Sequence, residues 1–156
     1  MRGLAKAVAV VMFAAAGLAA CTRLKAGLDG LSAERIRQEM FKLMSAPGAV
    51  ETLKLMAGQG ILSQLLPYTE DWRVLERLRP DPLLRLAVLA QDPRSMPERW
   101  RLSNHEARRL EALVSLLPPS PALRPAEQRA ILYHTGPEAW RDLVQVAWAR
   151  SDAASG

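Results

Sequence analysis

Residues 83–90 constrain the fold most. Leu83, Leu84, Leu86, Ala87, Val88, Leu89 and Ala90 are apolar, and at helical spacing they point almost all round the axis. Such a helix is stable only if other elements cover it on most sides, so the rest of the chain must supply a shell. Asp81-Pro82 stands directly ahead of it. A carboxylate there can accept first-turn N–H bonds, and a proline at the first helical position loses no backbone bond. We expect a buried helix from Pro82 to about Gln91 at the centre of the core.

The shell reads as further helices. No alternating apolar–polar run of strand type appears, leucine and alanine dominate, and aromatics are only 5%. Hydrophobic residues make up 49% of 156, which excludes a disordered tail and suffices for a real core. Ser32 can cap a helix whose Ile36, Met40, Leu43 and Met44 share one face, with Glu34 suiting its positive end. Pro47 should open the next helix, running to about Ala57 with Val50, Leu53, Leu55 and Met56 as its apolar set. Gly58 and Gly60 supply its closing turn, and Ile61, Leu62, Leu65 and Leu66 form a short apolar helix before Pro67.

Thr69 can cap a helix from about Glu70 to Arg79 that turns Val74, Leu75 and Leu78 inward. Ser95 with Glu98, and Ser103 with Glu106, have the spacing of capping boxes, the second opening a helix through Leu116. Trp100 reads as a core anchor. Pro118-Pro119-Ser120-Pro121 is a stiff loop. Pro125 opens a helix whose apolar side is Ala130, Ile131, Leu132 and Tyr133. Thr135-Gly136-Pro137 then caps and restarts it, and the last helix, to about Arg150, should bury Trp140, Leu143, Val144, Ala147 and Trp148. Residues 151–156 read as a frayed polar tail.

Catalytic signatures are missing from the sequence. One cysteine, Cys21, excludes an internal disulfide framework, and with His105 and His134 it gives no zinc-ligand spacing. There is no Gly-x-Ser-x-Gly elbow, no phosphate-binding glycine pattern and no Asp-x-Asp pair to hold magnesium. We assign no catalytic residue, no metal ligand and no cofactor. The formal net charge of +5 permits an anionic partner. The cations that could meet RNA phosphates are Arg35, Arg37 and Lys42 on the Ser32 helix, and Arg94, Arg99, Arg101, Arg108 and Arg109 downstream. A solvated, salt-bridged face is the competing reading of the same residues.

Leu31-Ser32-x-Glu34-Arg35-Ile36-x-x-Glu39-x-x-Lys42-Leu43 resembles the last ordered motif of the bacterial CCA-adding tRNA nucleotidyltransferases and their poly(A) polymerase relatives. That motif lies in the neck, just after the catalytic head. Met96-Pro97-Glu98-Arg99-Trp100-Arg101-Leu102-Ser103-Asn104 resembles a body segment of the same family, and the likeness runs from about Gly17 to about Ser151. The resemblance implies an all-α chain: neck-like helices over 21–66, a tRNA-binding-like body of about seven short helices over 67–150, and a tail. It implies a cytoplasmic protein that positions tRNA for 3′-end addition. The family's head, which uses magnesium with ATP or CTP, would lie outside this chain, and a separately encoded head is one partner the resemblance implies. The family's nucleotide-selecting Glu-Asp-x-x-Arg does not precede the motif. Glu70-Asp71-Trp72-Arg73-Val74 is only superficially like it, with Val74 in the arginine position.

Residues 1–20 carry two readings. Arg2 and Lys6 precede an apolar run over 7–20, and Leu18-Ala19-Ala20-Cys21 resembles a lipoprotein cleavage box that would lipidate Cys21. That reading makes the protein an exported, membrane-anchored lipoprotein whose helical domain binds another protein. In the other, Gly17-Leu18-Ala19-Ala20-Cys21-x-Arg23-Leu24 is the family's own helix, behind an alternative or frameshifted start. Either way residues 1–20 should form an apolar helix.

Overall fold

The structure, a computed structural model, describes residues 30–116 and 123–154. The expected N-terminal helix, Cys21 and the Pro118–Pro121 loop fall outside them. The described residues are all-α. Eight helices follow in order: α1 Ala33–Ser45, α2 Ala49–Gly58, α3 Leu62–Leu65, α4 Trp72–Arg77, α5 Pro82–Leu89, α6 Met96–Arg99, α7 Asn104–Ser115 and α8 Pro125–Ala154. A 3₁₀ turn, Pro93–Ser95, leads into α6.

α5 is the central helix that its composition requires. Leu83, Leu84, Leu86, Val88 and Leu89 are all buried, joined by Arg85. Asp81 caps it, accepting the N–H groups of Leu83 at 3.0 Å and Leu84 at 3.2 Å. The core around it takes Met40, Leu43 and Met44 from α1, Leu53 and Met56 from α2, Leu75 from α4, Leu110 from α7 and Val146 and Ala149 from α8. Fully burying a leucine is worth about 1.5–3 kcal/mol, so this shell supplies most of the drive to fold.

Several local devices are as the residues predict. Ser32 accepts the Arg35 N–H at 3.3 Å. Ser103 and Glu106 form a complete capping box. α2 ends in a Schellman turn: Gly60 N–H donates to Ala57 O, Ile61 N–H donates to Met56 O, and Gly60 has φ +67°. Gly136, with φ 80° and ψ 164°, breaks α8 where Thr135-Gly136-Pro137 signals a restart. Only glycine adopts that backbone without large strain.

Other expectations are corrected. α2 starts at Ala49 with Gly48 in the left-handed region at its N-cap, so Pro47 lies in the turn rather than at the helix start. Leu55 is exposed. Thr69 caps nothing: its hydroxyl donates to Val88 O at 2.8 Å and its N–H to Leu89 O, tying the residues before α4 to the end of α5. α4 spans only Trp72–Arg77 behind Asp71, which makes no side-chain cap. Ser95 does not form a capping box with Glu98, because its hydroxyl donates to Asp92 O, closing the 3₁₀ turn. Ala130, Leu132 and Tyr133 are exposed, as are Val144 and Trp148. The helix does not fray after Arg150 but continues to Ala154, with Asp152 paired to Arg77 of α4. Every described buried side chain of α8 lies after Gly136. Helical periodicity marked the right face of the last turns but extended it too far: one flank packs, and the other looks outward.

Candidate nucleic-acid interface

The eight candidate cations fall into three settings. The first joins α1 to the turn before α7. Arg37 donates to Arg101 O at 2.8 Å and to Glu106 at 3.2 Å, while Arg101 pairs with Glu34 at 3.3 Å. Glu106 thus closes the α7 capping box and holds α1 at once. Arg101 occupies the left-handed region at φ 50°, an uncommon conformation for a residue with a side chain. That turn throws its guanidinium outward. Backbone hydrogen bonding holds the Glu34 carboxyl below its usual range; burial opposes it, and the Arg101 charge, the Ser32 hydroxyl and the Arg37 charge add to the lowering.

Along α1, Arg35 and Lys42 flank the buried Glu39, at 3.7 Å and 3.4 Å. The Lys42 side chain is 73% exposed and that of Arg101 70%. Arg108, one turn into α7, is exposed and has no ion-pair partner among the described residues. Two stretches far apart in sequence therefore present Arg35, Lys42, Arg101 and Arg108 from neighbouring elements.

Arg94 stands apart from this group. It reaches Ser115 and Glu111 near the end of α7, whereas Arg101 sits by its start. A helix of that length separates the two by roughly 15–18 Å, so the basic stretch is not one patch. Arg99 donates from Nε to Leu65 O at 3.1 Å, and the buried Trp100 indole donates to the same carbonyl. Phe41 of α1 meets Trp100 edge to face with ring centroids 6.5 Å apart. Trp100 is therefore the anchor its surroundings suggested, and Arg99 helps close the end of α3.

Arg109 sits in the third setting, inside the fold. Its side chain is 14% exposed and it bonds Asp142 and Asp81, each at 2.6 Å. Asp142 is fully buried and also receives Arg79. Burial lowers the Arg109 pKa, but the bonds to Asp142 and Asp81 more than reverse this and leave it raised. Burial raises the pKa of Asp81, but the Arg109 bond, the Leu84 N–H and the charges of Arg109 and Arg79 outweigh it, leaving the carboxyl below its usual range.

Two features of this interior are not legible from residue spacing. One is the Arg79–Asp81–Arg109–Asp142 cluster, which gathers residues from three places in the chain. The other is Arg85, buried on α5, which donates to Met44 O and to Ala46 O at the end of α1. Burial lowers its pKa, partly offset by the Asp81 charge. A lone cation on an otherwise apolar helix was the available signal: such a charge must find carbonyls or carboxylates. The open carbonyls at a helix C-terminus suit it.

Among the described residues no group of His, Cys, Asp and Glu is placed to hold a metal ion, and no helix is long and apolar enough to cross a membrane. His105 is exposed at the start of α7, 3.9 Å from Glu138. His134 is exposed beside Tyr133.

Residues 14–73 match the sequence profile of the family described as "Probable RNA and SrmB-binding site of polymerase A". Neither the curated proteins nor the solved structures gave a match. The profile covers α1 to the first residues of α4 and less than half of the chain. Its first matched residue lies ahead of Cys21, within the signal-like run. The match supports an RNA-binding region of the poly(A) polymerase kind, with RNA as the partner, over residues 14–73.

Proposed function

We propose that this chain holds tRNA for a nucleotidyltransferase of the CCA-adding or poly(A)-adding kind, and that it adds no nucleotide by itself. The observation that carries the proposal is the joining of α1 to the start of α7 through Arg37, Arg101, Glu34 and Glu106. The join sets α1, inside the matched region, beside cations outside it. The carboxylates beside these arginines do not disqualify them. Exposed ion pairs are worth about 0–1 kcal/mol, so a phosphate can displace a carboxylate at little cost. On this reading Lys42, Arg101, Arg108 and Arg35 meet phosphates, Arg94 serves only RNA that reaches the far end of α7, and Arg37, Arg99 and Arg109 hold the scaffold. Transfer needs metal-bound carboxylates held together, which we place on a separate head. We place the protein in the cytoplasm, because the profile match runs through the signal-like residues ahead of Cys21.

Binding of unmodified tRNA across a salt series tests this. Affinity should fall steeply with salt, and Lys42→Ala or Arg101→Ala should each lower the salt slope by about one. Salt-independent binding, or none, would overturn the proposal. Incorporation of labelled CTP or ATP into tRNA by the chain alone would overturn the assignment of chemistry to a head. Mass spectrometry detecting a lipidated N-terminal Cys21 would overturn the cytoplasmic placement and favour the lipoprotein reading.

A further inference from the structure

The second half of α8 carries a groove that the proposal above does not use. Trp140, Val144 and Trp148 recur every four residues along one helical face, with Arg141 and Gln145 beside them and Arg79 at the edge. Together these six residues line an open cavity of about 380 Å³. Trp148 is 53% exposed, although tryptophan is on average a highly buried residue. No Asp or Glu lines the groove. Arg141 is exposed and has no ion-pair partner among the described residues, while Arg79 is anchored by Asp142 and Asp81. The Gln145 amide donates to Arg77 O at 3.3 Å, which fixes the floor against α4.

We propose that this groove binds unpaired RNA, with bases stacked on the exposed Trp148 and the half-buried Trp140 and the backbone held by Arg141. Indole faces open to solvent offer flat apolar surfaces to bases, and the Arg141 guanidinium, with no carboxylate paired to it among the described residues, complements a polyanion. Duplex RNA keeps its base faces inside the stack, so the groove selects single strands. The axial distance from Trp140 to Trp148 is about 12 Å, so the two indoles serve different bases of one short stretch. The inference rests on RNA being the partner, but it uses none of the cations assigned above.

The test compares a short single-stranded oligo(A) with a blunt-ended RNA duplex made of two strands, both binding the full chain in fluorescence anisotropy. Trp148→Ala should weaken oligo(A) binding by about 5- to 100-fold, as expected for the loss of one stacked base, and leave the duplex unchanged. Trp148→Phe should retain most of the affinity. Arg141→Ala, at an exposed position, should lower the oligo(A) salt slope by about one. Wild-type binding to RNA with no effect of Trp148→Ala would overturn this inference alone. So would a change in self-association on sedimentation without a change in RNA affinity, which would make the groove a protein contact. Failure of the wild type to bind either RNA would remove the broader reading and this one with it.

Discussion

The surface pairs of α1 and α7 and the cluster around Asp142 use the same chemistry in opposite surroundings. Arg101–Glu34 and Lys42–Glu39 leave their cations mostly in water. Arg109 and Asp142 are withdrawn from it. In water a pair is weak, screened by salt and exchangeable. Inside, each charge depends on its partner, because removing one strands the other without solvent. The inner cluster also ties together the cap of α5, the middle of α7 and the packed half of α8. Counting arginines therefore says little about RNA binding here; the exposure of each guanidinium says more.

The sharpest way to break this comparison is to remove one charge from each side. Asp142→Asn should cost about 3 kcal/mol in urea unfolding, because Arg109 loses its main partner in the interior. A loss under about 1 kcal/mol would show that the cluster behaves like a surface pair. Next in size is the fastening of α8. Gly136→Ala should cost about 1–3 kcal/mol in the same assay, from backbone strain alone, since an added Cβ would meet no neighbouring atom.

Acidification gives a smaller effect with a definite sign. The Asp81 carboxyl titrates lower in the folded chain than its ordinary 3.8. Its contribution is complete above the unfolded value and is lost as pH falls through the folded one. Stability measured from pH 6 down to pH 2 should decline in that acid window, and Asp81→Asn should flatten the part due to this group. At the other extreme, Lys42→Ala should change stability by less than about 0.5 kcal/mol while weakening RNA binding at low salt. If it destabilised the fold as Asp142→Asn does, the two sides would not differ in kind.

What was legible in the sequence follows the range of each interaction. Ser32 over Arg35, Asp81 over Leu83 and Leu84, and Ser103 with Glu106 are bonds within one turn, and spacing alone sets them. The all-α class and the buried α5 followed from periodicity. Thr69 shows where such reasoning stops. A hydroxyl ahead of a helix reads as a cap, yet Val88 O, far along the chain, stands closer to it in space. Ser95 fails for a related reason: the 3₁₀ turn offers Asp92 O first.

The sequence by itself determined which segments are helices, where most of them begin, and that residues 83–90 must lie inside. Only the tertiary structure decided the fate of the cations. Arg109 and Arg101 look alike in one basic stretch, but Arg109 meets carboxylates 28 and 33 residues away, whereas Arg101 is turned outward. Periodicity likewise could not tell that Trp148 faces out while Val146 and Ala149 face in. Local bonds depend on spacing along the chain, which is written in the order of residues. Burial and long-range pairing depend on which elements arrive on each side, and that is settled only when the helices pack.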